Sequence, residues 1–167
     1  MAMNRREMIG AAAGLVAGGA ALLWGGGRAQ AAPGRFEVTY SDAEWRRRLG
    51  PQRYAVLRQA ATERAGSSPL DREKRAGTFI CAGCALPLYS SRAKYDSGTG
   101  WPSFVRPLPN AVRTRADSSL FVRRVEVICR RCGGHLGHVF DDGPPPTHLR
   151  YCINGVALNF EPKQGTA

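Results

Sequence analysis

Five cysteines carry most of the chemical information in this 167-residue chain. Four stand in two pairs, Cys81-x-x-Cys84 and Cys129-x-x-Cys132, and the fifth, Cys152, stands alone. Two thiolates two residues apart can face one tetrahedral ion, so two such pairs can supply all four ligands of a closed zinc site. Between Cys84 and Cys129 lie 44 residues, more than in a compact zinc ribbon, so a shared ion would tie together distant parts of the fold. Gly83 and the Gly133-Gly134 pair are expected to give the two turns their backbone freedom. Four thiolates leave no position for water, so the expected role of the Zn²⁺ is structural. Two disulfides, or a single redox-active pair, are the competing readings of the same four residues.

Cys152 is left over once four cysteines are on an ion. It lies in Arg150-Tyr151-Cys152-Ile153-Asn154. In a strand, Arg150 and Asn154 share a face with Cys152, and a cation and an amide donor beside a thiol favour the thiolate. His135 and His138, two of the three histidines, supply candidate acids. A nucleophilic thiol with a nearby imidazole is the minimal equipment for thiolate chemistry. From these residues alone the chain is a cysteine enzyme or redox protein, or else Cys152 is a buried structural thiol.

The elements that must position these groups change character along the chain. Ser41 with Glu44 three residues on is a capping-box pattern before Trp45 and Leu49. It predicts a helix that stops at Gly50, and Pro51 starts a second with Tyr54, Leu57 and Ala61 on one face. After Gly77 short apolar runs alternate with Gly and Pro turns. Residues 78–80, 86–89, 120–128, 136–140, 151–153 and 156–160 read as strands. The expected fold is mainly β in one domain, with N-terminal helices.

Residues 1–31 read as a targeting segment. Arg5-Arg6 precede an apolar stretch from Met8 to Trp24 that is rich in Ala and Gly, and Ala29-Gln30-Ala31 offers a signal-peptidase site. The paired arginines point to the twin-arginine route, hence to an exported, periplasmic protein. If uncleaved, the apolar run, at the lower limit for a span, would act as a membrane anchor. Export of a folded protein would also let zinc load before the thiols meet an oxidising compartment.

The formal charge is +11. The basic residues are scattered, at Arg46 to Arg48, Arg72 to Arg75, Arg123-Arg124 and Arg130-Arg131, without the aromatic interleaving of a nucleic-acid surface. No nucleic-acid partner is expected, and the chain is expected to be a monomer.

Three further stretches resemble one known family. Lys94-Tyr95-Asp96-Ser97-Gly98-Thr99-Gly100-Trp101-Pro102-Ser103-Phe104 looks like the signature loop of the B-type methionine sulfoxide reductases. His135 to Phe140 with Asp142-Gly143-Pro144, and then Arg150 to Asn154, look like the family's other signatures in the right order. The four paired cysteines fall where its zinc-bearing branch has them. The resemblance covers about residues 54–160. It implies a small barrel-like pair of antiparallel sheets, stapled by zinc, that reduces methionine-(R)-sulfoxide in proteins.

Carried over by position, Cys152 matches the nucleophile that becomes a sulfenic acid, and His138, with His135, matches the acid. Asn154 and Arg150 match supporting residues, Trp101 the aromatic face for the methyl group, and Phe140 and Asp142 pocket and support positions. Members commonly carry a resolving cysteine where this chain has Thr99. Recycling here would therefore need an external small thiol or a thioredoxin-like reductant. Gly155 stands where the family frequently has serine. The rival reading is a zinc-ribbon-like binding module without catalysis, which gives no reason for Cys152, His138 and Trp101 to converge.

Overall fold

A computed structural model describes residues 36–118 and 123–164. The expected export signal lies outside them. The one α-helix among the described residues, α1 (Asp42–Gln59), is two helices joined at a kink. Gly50 takes φ 69° at the kink and Pro51 follows, as the Gly50-Pro51 boundary predicts. The Ser41 side chain caps the first turn by accepting from the Glu44 N–H. Arg46, Arg47 and Arg48 pair with Asp42 and Glu44 along the exposed face. Trp45, Leu49, Tyr54, Val56 and Leu57 turn inward.

Among the described residues nine strands follow, in two antiparallel sheets. The smaller has the order β2 (Pro87–Ser90), β1 (Gly77–Cys81), β9 (Leu158–Pro162). The larger runs β3 (Lys94–Tyr95), β4 (Ser103–Phe104), β8 (Arg150–Ile153), β7 (His135–Phe140), β6 (Arg124–Cys129), β5 (Val112–Asp117). Among the described residues neither sheet closes into a barrel. The sheets share a core in which Tyr89 stacks on Phe104 at 4.3 Å and Phe79 meets Phe104 edge-on at 5.0 Å. All three rings are fully buried, and such pairs add to what burial alone contributes.

Five expected strands appear within a residue or two of their predicted places, and the start of the sixth, residues 120–122, lies outside the described residues. The stretch expected from Val156 begins instead with a 3-10 turn, Gly155–Ala157, before β9. Strands β3, β4 and β5 were not expected. β3 and β4 are two residues each, and β5 is a largely exposed edge strand carrying Arg113 and Arg115. Charge on an edge strand keeps other chains from pairing.

One irregularity sets the geometry of the site. Between β6 and β7 the register slips: Val127 faces Gly137 but Ile128 faces His135, leaving Leu136 as the extra residue of a bulge. In a regular strand residues three apart face opposite ways. The bulge removes that constraint, and the His135 and His138 rings meet edge-on at 5.4 Å. Gly137 lies against β8, and a Cβ there would run into the Cys152 carbonyl.

Candidate active site and four-cysteine cluster

The two Cys-x-x-Cys pairs end corresponding strands. Cys81 closes β1 and Cys129 closes β6, with Cys84 and Cys132 in the turns that follow. Each turn closes with a backbone bond, Ala85 N–H to Cys81 O at 2.8 Å and Gly133 N–H to Cys129 O at 2.9 Å. The left-handed residue is Gly133 (φ 69°) in the second turn but Ala85 (φ 57°) in the first. Gly83 therefore does not serve the conformational role expected of it. Its N–H instead points to Cys81 Sγ at 3.4 Å, and a Cβ there would lie 3.6 Å from Cys132 Sγ.

The four sulfurs lie within 4.8 Å of one another, with Cys81–Cys132 at 3.7 Å and Cys84–Cys129 at 3.5 Å. A tetrahedral ion with Zn–S bonds of about 2.3 Å needs sulfurs about 3.8 Å apart, whereas a disulfide needs about 2.05 Å. The arrangement fits a metal ion that links the two sheets, and three of the four residues are buried. Contact with Cys129 holds the Cys81 thiol above its ordinary range. Sulfurs this close cannot all carry charge without a cation between them.

Cys152 is well apart from that cluster in the chain and lines a cavity of about 160 Å³. Its neighbours there are Trp101, Arg124, His138, Phe140 and Asn154. The sheet explains the meeting: His138 pairs directly with Cys152 across β7 and β8, and Ser103 of β4 pairs with it from the other side. The Trp101 loop is held by an indole N–H bond to the Glu63 carbonyl at 3.1 Å.

The His138 Nε2–H donates to Asp117 Oδ2 at 2.8 Å, and Arg124 donates to the same oxygen at 2.8 Å. A carboxylate at Nε2 favours the tautomer with the proton on that nitrogen and fixes the ring's orientation. His135 is not among the cavity-lining residues. It is 4% exposed and bonds through Nδ1 to Glu126 Oε1 at 2.7 Å. Burial pushes its pKa down, against the Glu126 carboxylate, so the ring favours its neutral form.

Asn154 and Arg150 are each held by further partners. The Asn154 amide donates to Leu136 O at 3.1 Å while its oxygen accepts from Glu63 N–H at 2.9 Å. It lines the cavity as a strut between β7 and the segment carrying Glu63. Arg150 grips Asp142 with two bonds, at 2.8 and 2.7 Å, and lies over the Phe140 ring at 4.4 Å. Asp142 is accordingly a surface anchor, outside the cavity lining. Burial pushes the Cys152 thiol up, and Arg150 opposes this only in part.

Sequence reasoning missed three participants. Asp117 and Arg124 come from the β5–β6 pair, facing each other in register. Val112, Thr114 and Ala116 alternate with Arg113, Arg115 and Asp117, a period-two signal that could have marked β5. Glu63, 7% exposed, left no such signal. Its carboxylate accepts from Gly155 N–H at 2.5 Å and Val156 N–H at 3.0 Å, and its own backbone holds Asn154 and Trp101.

The convergence of Cys152, His138 and Trp101 on one cavity is what the binding-module reading gave no reason to expect. Comparison with known proteins agrees. The SelR domain family matches residues 49–162. A Bradyrhizobium diazoefficiens protein named peptide methionine sulfoxide reductase MsrB is 54% identical over 128 residues, 76% of this chain and 92% of its own. Proteins of the same name from Leptospira interrogans and Methanosarcina barkeri are 49% and 52% identical. These alignments cover 75% and 77% of this chain and 97% and 94% of the relatives.

Proposed function

We propose, for a chain that belongs to the SelR-domain family of peptide methionine sulfoxide reductases, MsrB, and so is an oxidoreductase, that its reaction is reduction of methionine-(R)-sulfoxide in proteins by Cys152. The observation that carries this reading is the cavity that gathers Cys152, His138, Trp101 and Phe140.

The sequence of events follows from the chemistry of the groups. A sulfoxide oxygen leaves poorly unless protonated, so the nucleophile needs an acid within reach. His138, its Nε2–H held by Asp117, would give that proton from its other ring nitrogen when the ring is in the imidazolium form. Trp101 and Phe140 give the methyl group an apolar wall, and Arg124 brings a cation to the same cavity. With the oxygen fixed by donors and the methyl by the aromatic faces, one sulfur epimer fits. The Cys152 sulfur attacks the sulfoxide sulfur as its thiol proton passes back to His138, the bond between methionine sulfur and oxygen breaks, and Cys152 ends with the oxygen as S–O–H. Methionine sulfur is reduced by two electrons, Cys152 is oxidised by two, and the product is a sulfenic acid. An external thiol then condenses with it, releasing water and leaving a mixed disulfide, and a second thiol, small or on a thioredoxin-like protein, restores Cys152.

Cys81, Cys84, Cys129 and Cys132 would hold a structural Zn²⁺, whose contribution is binding energy added to folding energy. Residues 1–31 would direct folded export to the periplasm by the twin-arginine route and be removed there, leaving a domain of residues 32–167. Changing Arg5-Arg6 to Lys-Lys should then retain the precursor in the cytoplasm; unchanged export would rule that route out.

The deciding experiment for the reaction incubates the protein with each epimer of a methionine sulfoxide peptide and dithiothreitol. The R epimer alone should be consumed. Consumption of the S epimer alone, or of neither, would overturn the proposal.

A further inference from the structure

A chain of three hydroxyl groups ends at Cys152. Ser103 Oγ, fully buried on β4, bonds to the Trp101 carbonyl at 3.0 Å and to Ser97 Oγ at 2.7 Å. Ser97 Oγ meets Thr99 Oγ1 at 2.8 Å, and Thr99 Oγ1 stands 4.0 Å from Cys152 Sγ. None of these contacts enters the reaction as described so far.

The proton count fixes what this chain can offer. Each hydroxyl has one hydrogen to give and lone pairs to receive. The Trp101 carbonyl only accepts, so Ser103 donates to it, Ser97 donates to Ser103, and Thr99 donates to Ser97. Every hydrogen is then used, and the group left facing Cys152 is a lone pair on Thr99 Oγ1. That lone pair suits a partner that donates. A thiolate has no hydrogen to give, and at 4.0 Å a thiol is at the limit of contact. The 4.0 Å gap exceeds a hydroxyl–hydroxyl hydrogen bond of about 2.7 Å by about 1.3 Å, less than one sulfur–oxygen bond. An oxygen added to Sγ, set off the line between the two atoms, reaches bonding distance of Thr99.

We propose that the Thr99–Ser97–Ser103 chain is a holding site for the Cys152 sulfenic acid, whose S–O–H donates to Thr99 Oγ1. This rests on the reaction proposed above, in which the oxygen comes from the sulfoxide. Thr99 offers a hydroxyl, which cannot displace the oxygen as a thiol would but can bind it. The oxidised enzyme is thereby kept until an external thiol attacks the Cys152 sulfur, forming the mixed disulfide and releasing the oxygen as water. Without the bond the sulfenic acid is more open to a second oxidation, by peroxide, to the sulfinic acid.

The test compares the metal-loaded full chain with Thr99→Val, which keeps the shape and loses the hydroxyl, and Thr99→Ser, which restores it. Each is given one equivalent of methionine sulfoxide without reductant. Intact mass reads the added oxygen, chromatography reads methionine, and a cyclic 1,3-diketone reads surviving sulfenic acid over time. The expected result is about a fivefold shorter life in Thr99→Val, the equivalent of one hydrogen bond of roughly 1 kcal/mol, and recovery in Thr99→Ser. Where Thr99→Val fails the first turnover, the sulfenic acid is generated with hydrogen peroxide and its life is read in the same way. Ser97→Ala, which breaks the chain one link back, should shorten the life in the same direction. Equal lifetimes in wild type and Thr99→Val would overturn the holding site while leaving the reaction intact. Absence of methionine, or of oxygen on Cys152, in the wild type would instead overturn the reaction.

Discussion

Glu63→Gln should destabilise the protein by about 2 kcal/mol and loosen the cavity without touching any group that meets substrate. The carboxylate is 7% exposed, and its two oxygens receive the Gly155 and Val156 N–H groups. A glutamine keeps one acceptor and turns an NH₂ toward the other amide. One buried backbone donor is orphaned, at a cost of about 1–3 kcal/mol. For a domain of this size that corresponds to a fall in Tm of about 6–10 °C. The same segment holds Asn154 through its N–H and the Trp101 indole through its carbonyl, so kcat/KM should fall about tenfold, mostly through KM.

The pH dependence has a sign that separates this account from a generic loss of packing. Burial holds the Glu63 carboxyl above its ordinary value of 4.5, outweighing the two amide donors. A raised carboxyl binds its proton more tightly in the folded state. Its contribution is therefore fully present below the ordinary value and is lost as pH rises through the folded one. Denaturant titrations of wild type and variant should thus show a larger stability difference near pH ~4 than near pH ~7. A Tm change under about 2 °C, or a difference that grows with pH, would refute the reasoning.

Four further outcomes are expected. Cys152→Ser should abolish turnover and leave melting and metal content unchanged; retained activity would remove Cys152 from the chemistry. The wild-type protein should hold one zinc per chain by elemental analysis, and Cys81→Ser or chelation should lower Tm strongly; a metal-free protein that melts like the loaded one would refute the structural role. Trp101→Phe keeps the aromatic wall but loses the bond to the Glu63 carbonyl, so kcat/KM should fall by roughly fivefold, one hydrogen bond's worth, while Trp101→Ala should fall by about a hundredfold. Because burial keeps the Cys152 thiol above its ordinary value, its alkylation by iodoacetamide should be slow at neutral pH and climb as pH rises through the raised value; a thiol that titrates below an ordinary cysteine would contradict this.

Chemistry-bearing residues were more legible in the sequence than their partners. The cysteine pairs announce themselves by spacing, and the Gly50-Pro51 boundary and most strands by punctuation and apolar runs. The misses share a cause. Asn154 and Arg150 flank Cys152 in sequence, but the anchors that hold them, Leu136, Glu63 and Asp142, are 8 to 91 residues away along the chain and could not be read there. Glu63 lies in an irregular stretch after α1, where no periodicity singles out a residue, and its role exists only once Gly155 and Val156 are folded against it. His135 and His138 look equivalent in the run His135 to Phe140. A single bulge residue brings their rings together, yet His135 is buried against Glu126 while His138 lines the cavity. Side chains whose function is to hold backbone are visible only after the long-range pairing is known.

The four-cysteine cluster divides the chain in a way that bears on selectivity. An ion shared by Cys81 and Cys132 closes a loop that contains the Trp101 segment, the three hydroxyls and Asp117, whereas His138 and Cys152 lie beyond it. Closing such a loop chiefly restrains what is inside it. Loss of the ion would blunt the walls of the pocket before it silenced the sulfur. A demetallated protein should still be alkylated at Cys152 by a small reagent, yet should no longer distinguish one sulfoxide epimer from the other. Fidelity and reactivity would then be separate properties of the same chain, with only the first dependent on metal supply.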